Sequence, residues 1–154
     1  MVKQEIVQLD ERNAEDFWRF RKELFLELGE VSTEMDISEL ESATKQYYIS
    51  HINKDLLSWG LYRDGKMVSI GSLCLFSRIP YQENLRGTEG YILNIYTSVH
   101  FRKHGFASQI LDTIVAHSRQ HHIKRLWLSS SEQGKSLYDG KGFVQKENEM
   151  ELFL

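Results

Sequence analysis

Residues 89–108 read Glu-Gly-Tyr-Ile-Leu-Asn-Ile-Tyr-Thr-Ser-Val-His-Phe-Arg-Lys-His-Gly-Phe-Ala-Ser, and this stretch decides the fold. A β-type run ends at Thr97, a short turn carries Arg102, Gly105 and Ala107, and an amphipathic helix begins at once. Along that helix Ala107, Ile110, Leu111, Ile114, Val115 and Ser118 recur at i, i+3, i+4, i+7, i+8 and i+11, a continuous core-facing stripe. A helix start leaves its first four N–H groups without intrahelical partners, and the macrodipole adds roughly half a positive charge there. Such a strand–turn–helix junction is an anion site, with pyrophosphate as its usual occupant. Gly105 suits it, because glycine adopts positive φ and presents no Cβ to an approaching phosphate. Ala107 is small and helix-favouring. Taken alone, the six residues of the turn also fit an ordinary β–α connection with glycine as punctuation.

The turn Arg102-Lys103-His104-Gly105-Phe106-Ala107 fits the pattern Gln/Arg-x-x-Gly-x-Gly/Ala. Here the chain resembles the GNAT superfamily of acyl-CoA N-acyltransferases, whose acetyl-CoA signature this is. Downstream, Gly134-Lys135-Ser136-Leu137-Tyr138-Asp139-Gly140-Lys141-Gly142-Phe143 resembles the family's closing segment, a short helix followed by Leu-Tyr-x-x-x-Gly-Phe. The two motifs stand in the family's order and span about half the chain, from Glu89 to Phe143.

The resemblance implies an α/β fold with a central, mixed and mostly antiparallel sheet flanked by helices, as one N-acetyltransferase domain over residues 1–154. In that fold the strand before the signature helix and the strand after it splay apart. The pantetheine arm of acetyl-CoA lies in the gap and pairs with strand backbone near Ile95 and Thr97. Arg102, Lys103, His104, Gly105, Phe106, Ala107 and Ser108 form the phosphate turn. Ser131 stands where the family commonly has Asn, and its hydroxyl can still hydrogen-bond to the arm. Tyr138 corresponds to the tyrosine that donates a proton to the departing CoA thiolate.

The implied reaction moves an acetyl group from the thioester to a primary amine by direct attack in a ternary complex. It needs no metal and no enzyme nucleophile, and the single cysteine, Cys74, is badly placed to be one. A lysine-like amine has a pKa of about 10.4, so holding it neutral at pH 7 costs roughly 4–5 kcal/mol. Either a carboxylate or ordered water takes its proton. Glu89 lies six residues before Ile95, where the histone-type acetyltransferases carry a general base. A binding or sensing module for acyl-CoA, without turnover, is the alternative on the same fold. An interaction protein with an accidental glycine turn is a third.

Composition sets compatible bounds. The chain has 154 residues, 41% of them hydrophobic, enough for one globular core. A mean hydropathy of −0.44 and the lack of a long apolar run argue against a membrane span. Met1-Val2-Lys3-Gln4-Glu5-Ile6 is too polar for a signal peptide, so the cytoplasm is the expected location. One cysteine excludes an internal disulfide and a Cys-based zinc site. His117 and His121 have metal-compatible spacing but no third ligand, so helix-end solvation is expected of them.

The formal net charge is only −3, but its distribution is uneven. Glu23 to Thr44 holds seven acids and no Lys or Arg, whereas Val99 to Leu128 holds five Lys/Arg and one acid. The basic stretch suits CoA phosphates. The acidic one suits a small cationic amine as acceptor, and equally a solvated helix face. A pI near 6.1 falls short of a nucleic-acid-binding footprint. The expected partner is therefore a small-molecule amine, with no nucleic acid, no membrane and a homodimer as an option.

Outside the motifs, Glu5 to Leu9 reads as a strand, and Asn13 as the cap of a helix carrying Ala14, Phe17, Trp18, Leu24, Phe25 and Leu28. Gly29 stops that helix. Ser38-Glu39-Leu40-Glu41 has the capping-box pattern of a second helix running toward Ile52. Leu56 to Arg63, Asp64-Gly65 and Lys66 to Ser77 spell a β-hairpin. Its second arm places Val68, Ile70 and Cys74 on one side and Met67, Leu73 and Leu75 on the other. Residues 79–87 form an irregular link, long enough to border a pocket. Arg125 to Leu128 is a further strand, and the alternation of Met150, Leu152 and Leu154 predicts a last one.

Overall fold

The computed structural model describes residues 1–154. Strands β1 (Gln4–Gln8), β2 (Leu56–Arg63), β3 (Lys66–Ser77), β4 (Thr88–Thr97) and β5 (Arg125–Trp127) form one sheet in sequence order. The first four are antiparallel, and β5 joins β4 in parallel. Helices α1 (Ala14–Leu28) and α2 (Ser38–His51) link β1 to β2, α3 (Phe106–Gln120) links β4 to β5, and α4 (Lys135–Gly140) follows β5. This is the mixed, mostly antiparallel α/β sheet flanked by helices that the sequence predicts.

The sheet is buried on both faces. On one side Phe106, Ile110, Leu111 and Ile114 of α3 pack on Leu57, Trp59, Leu61, Leu73 and Ile92. On the other, Phe17 and Phe20 of α1 and Tyr48 of α2 pack on Leu56, Met67, Ile70 and Tyr96. The β2–β3 hairpin turns at Asp64 (φ 50°) and Gly65 (φ 81°), the pair of positive φ values a type I′ turn requires. The expected two-sided pattern of β3 needs one correction. Tyr62 pairs with Met67 but Leu61 pairs with Ser69, so Val68 is an extra residue in the ladder. The bulge reverses the alternation there. Met67, Ile70 and Cys74 belong to the α1/α2 face, and Val68, Leu73 and Leu75 to the α3 face.

Three local expectations also differ. Asn13 does not cap α1, because its side-chain oxygen accepts from the Asp10 N–H while Asp10 accepts from Arg12 in a preceding 3-10 turn. The Ser38 hydroxyl does not cap α2; the Asp36 carboxylate accepts from the Ser38 N–H instead, leaving the capping box unformed. Met150, Leu152 and Leu154 form no strand, since residues 143–154 carry no ladder and those three side chains are exposed. Gly29 does end α1, at φ 75°, with its N–H directed to the carbonyls of Leu26 and Phe25.

A second bulge shapes the molecule. Ile70 pairs with Tyr96 and Ser72 with Leu93, so Gly71 of β3 faces two residues of β4, Asn94 and Ile95. Asn94 has φ 59°, a left-handed conformation that Asn tolerates better than most residues. The space a side chain at Gly71 would need is filled: a Cβ there would collide with Ile110 and lie 2.7 Å from the Ile95 side chain. Gly71→Val should therefore overpack the contact between sheet and α3, costing about 1–3 kcal/mol. For a domain of this size the melting midpoint should fall roughly 2–4 °C per kcal/mol. Thermal unfolding of the two proteins measures this, and an unchanged midpoint would refute the tight fit.

Candidate active site

β5 pairs with β4 only at Glu89, Gly90 and Tyr91, ahead of the Asn94 bulge. Beyond that the two chains part, and a cleft of about 480 Å³ lies along the remainder of β4. Ile95, Tyr96 and Thr97 line one wall; the turn and first residues of α3 line the next; Ser131, Gly134, Leu137 and Tyr138 close the far side. All the residues expected to hold the cofactor gather here except His104. The His104 ring instead folds onto its own turn, Nδ1 lying 2.8 Å from the Arg102 carbonyl, and stacks on Phe106.

The helix start has the predicted form. Gly105 occupies the N-cap position at φ 77° and Lys103 sits at φ 64°. The N–H of Gln109 is bonded to the Gly105 carbonyl, so the N–H groups of Phe106, Ala107 and Ser108 have no carbonyl of this helix to reach. No side chain caps them. Open space surrounds the Gly105 Cα on its Cβ side. Phe106 lines the cleft too, but the residue is 4% exposed and its side chain belongs to the core.

Arg102 is placed differently from a free phosphate ligand. Its Nε donates to the Thr97 carbonyl at 3.0 Å, and its guanidinium pairs with Glu27 of α1 at 2.5 Å and lies over the Tyr96 ring. One cation thus joins the end of β4, the phosphate turn and α1, and its charge is already matched. The acidic stretch is partly neutralised in the same way. Glu27 meets Arg102 and Glu41 meets Lys45, while Glu23 accepts from the Tyr96 hydroxyl at 3.3 Å. Leu24, Glu27 and Leu28 bring the last turns of α1 into the cleft wall. Sequence periodicity marked the two leucines as core, and nothing in it indicated that the helix end would overhang the phosphate turn.

Tyr138 and Ser131 meet across the start of α4. The Ser131 hydroxyl accepts from the Gly134 N–H at 3.1 Å, fixing the turn from which Tyr138 projects. Tyr138 packs edge-on against Phe143, and burial pushes its phenol above the ordinary value, with Tyr91 adding to the shift. It is therefore a fully protonated donor at neutral pH.

Glu89 is not in the cleft. Its side chain is fully buried, and its carboxylate accepts from Arg125 at 2.9 Å, from Arg78 at 3.4 Å and from the Tyr81 hydroxyl, with the Asn84 amide at 3.5 Å. Burial alone would raise this carboxyl, but the Tyr81 and Arg125 contacts outweigh it and hold it below its ordinary value. A saturated carboxylate with a depressed pKa is a poor proton acceptor, so the geometry points away from the general-base role. It clasps the 78–87 loop to the sheet instead. His117 also departs from plain solvation: it is half-buried, edge-on to Trp59 and stacked on His121. No three metal-ligating side chains converge anywhere in the chain, and no helix is long and apolar enough to cross a membrane.

Glu89→Gln should leave two guanidinium groups beside a neutral amide. The cost should lie at the lower end of about 3–5 kcal/mol, because Arg78 is half exposed. The sign with pH follows from the depressed pKa. The wild-type advantage should be complete above the unfolded carboxyl value of about 4.3 and should close as pH falls through the folded one. Denaturant midpoints of both proteins from neutral pH to pH 3 test this, and a gap that widens on acidification would contradict it.

Comparison with known proteins agrees with this geometry. The profile of the acetyltransferase (GNAT) family matches residues 13–143. Among solved structures, a predicted acetyltransferase with acetyl-CoA from Clostridium acetobutylicum superposes with a TM-score of 0.89 at 22% identity, covering 98% of this chain and 96% of that one. A GCN5-related N-acetyltransferase from Ralstonia eutropha gives 0.86 at 19% identity, with 99% of each chain covered. The aminoglycoside N-acetyltransferase AAC(6')-Iy in complex with CoA gives 0.76 at 14% identity, covering 100% and 96%. No curated protein sequence matches the chain. With the family's profile spanning 13–143 and the splayed strands, glycine turn and Tyr138 in place, the chain belongs to the acetyltransferase (GNAT) family.

Proposed function

We propose that this protein transfers an acetyl group from acetyl-CoA to a primary amine on a small cationic acceptor, by direct attack in a ternary complex. The uncapped start of α3 at Gly105, opening into the gap between β4 and β5, carries the reading. Pyrophosphate oxygens would accept from the N–H groups of Phe106, Ala107 and Ser108. The pantetheine arm would lie against Ile95 and Thr97, where β4 has lost its β5 neighbour and strand backbone is free to pair. Lys103, exposed beside the turn, is the phosphate-facing cation, since Arg102 is held by Glu27.

Acetyl-CoA supplies the activated acetyl thioester. The amine nitrogen forms a bond to the carbonyl carbon, the C–S bond breaks, and the Tyr138 hydroxyl donates to the sulfur as it gains charge. With Glu89 occupied in its ion-pair cluster, the proton of the amine passes to water. A cationic acceptor is favoured by the acids of α1 and of the α1–α2 connection. Of these, Glu23 touches only a neutral phenol, at Tyr96 on the cleft wall.

Acetyl-CoA should stabilise the protein by about 2.7 kcal/mol at a hundredfold excess over its dissociation constant. Gly105→Glu should abolish the shift, because it puts a carboxylate and a strained φ of 77° where the phosphate belongs. Thermal melts with and without acetyl-CoA decide the matter, and an unmoved wild-type midpoint would sink the cosubstrate assignment.

Turnover is read as CoA thiol released with a panel of polyamines, aminoglycosides, amino acids and peptide N-termini. Cationic acceptors should lead, and their advantage should shrink as added salt screens the α1 acids. Tyr138→Phe should keep acetyl-CoA affinity and lower kcat by about 10²–10⁴. A salt-independent preference for acidic acceptors would reject the acceptor class, and near-normal turnover in Tyr138→Phe would reject the proton donor. Acetyl-CoA binding without thiol release across the panel would leave the non-catalytic module as the correct reading.

A further inference from the structure

The sheet face that carries α1 and α2 is closed at one end and open at the other, and the open end holds a cation with no partner. Ile70 pairs with Tyr96 and Cys74 with Tyr91, so both tyrosines of β4 project on this face. At Tyr96 the helices roof it: the residue is buried and its ring meets Phe20 edge-on. At Tyr91 the roof is incomplete. Tyr91 and Trp127 are half-buried with ring centres 4.3 Å apart, and Cys74 beside them is partly exposed. From α2 the Tyr47 hydroxyl comes within 3.9 Å of the Cys74 sulfur. From α1 the Arg21 guanidinium lies 4.5 Å from the Phe25 ring centre, near enough to Cys74 and Tyr91 to act on both electrostatically.

Arg21 is half-buried and makes no ion pair or hydrogen bond. The acids of this end are already engaged, Glu89 by Arg78 and Arg125 and Asp55 by His51. A guanidinium in such surroundings calls for an acceptor, and its planar fork matches a carboxylate in bidentate fashion. Stacking on Phe25 holds its plane without using its N–H groups. Along β4, Tyr91 stands three residues before the Asn94 bulge, about 10 Å of strand; with a hydrogen bond of about 3 Å at the carboxylate, about 7 Å remains to the bulge. That is the reach of an extended lysine side chain.

We propose that the acceptor is a basic amino acid of the lysine type, held by its carboxylate on Arg21 and acetylated on its side-chain amine at the β4 bulge. The proposal rests on the acetyl-transfer reading and narrows its acceptor. Tyr91 and Trp127 floor the aliphatic stem, and Glu30, which has no ion pair and whose charge reaches Arg21, favours the α-ammonium. The new amide forms on the side-chain nitrogen as the C–S bond breaks; Tyr138 protonates the sulfur and the amine's proton passes to water.

The test measures CoA thiol release with L-lysine, with L-lysinamide and with cadaverine, the last two lacking the carboxylate. Lysine should exceed both in kcat/KM by about 10–100-fold, chiefly through KM, the worth of a hydrogen-bonded charge. In Arg21→Ala the three acceptors should become nearly equal, and Arg21→Lys should recover part of the lysine preference. NMR of the product should place the acetyl group on the side-chain nitrogen. Release with cadaverine that equals release with lysine would overturn the proposal and leave acetyl transfer standing, whereas no release with any amine would overturn both. A lysine preference that survives Arg21→Ala, or acetylation of the α-nitrogen, would also overturn it. The comparison of lysine with lysinamide on the unaltered chain decides even if both variants fail to fold.

Discussion

One steric fit organises the molecule: an extra residue in β4 set against a missing side chain in β3. Asn94 and Ile95 share the station opposite Gly71, and Ile95 and Ile110 occupy the volume that any other residue at 71 would claim. A bulge bends its strand and increases local twist. Here only Ile92 and Leu93 separate it from Tyr91, the last residue of β4 that pairs with β5, so the sheet holds together over Glu89–Tyr91 and opens below. The cleft is that opening. Its walls are the carbonyls and amides of a strand that has lost its neighbour, the start of α3 that the same strand feeds, and the short α4 across the gap. The Asn94 amide is left buried with neither polar atom partnered, a cost accepted for the bend.

Two ion-pair clusters then fix the parts that border the opening. Arg102 binds the end of β4 to α1 through the Thr97 carbonyl and Glu27, so one cation ties the turn before α3 to the first helix. Glu89 binds the β3–β4 loop to β5 through Arg78, Tyr81, Asn84 and Arg125. The two have different environments. Glu89 is fully buried, where unpaired charge is expensive and the partners must be complete. Arg102 and Glu27 are each about one-third exposed, so their pairing is partly screened and its value lies in geometry.

The hairpin, the helices and the glycine turn were legible in the sequence because each rests on a local rule, and the mixed sheet and most of the cleft residues followed from the family resemblance. Asp64-Gly65 demands a type I′ hairpin, Gly29 a helix end, and Gly105 with its helical stripe a strand–turn–helix junction with an uncapped helix start. What escaped was set by partners distant in sequence. The role of Glu89 depends on Arg125, thirty-six residues away, and that of Arg102 on Glu27, seventy-five away. Composition places such charges without pairing them. Both bulges were missed because a period of two was assumed throughout, although an Asn in the middle of an otherwise apolar, aromatic strand was a readable sign. The last predicted strand is absent: Met150, Leu152 and Leu154 alternate as a strand would, but residues 143–154 pair with no other strand.

A cofactor site made chiefly of main chain has an evolutionary consequence. N–H groups at a helix start and an unpaired strand backbone are present whatever side chains the positions carry, so the fold constrains conformation there far more than identity. Only positions with a special φ, with no room for a Cβ, or with the proposed donor hydroxyl at the far wall call for a particular side chain: Gly105, Gly71 and Tyr138. If the cleft holds the nucleotide as proposed, the rest of its lining could vary in side chain and keep the same main-chain contacts. On the proposed reading, changes on α1 and the β3–β4 loop would alter the acceptor while the main-chain end for acetyl-CoA stays unchanged, and one scaffold would serve several versions of the same transfer.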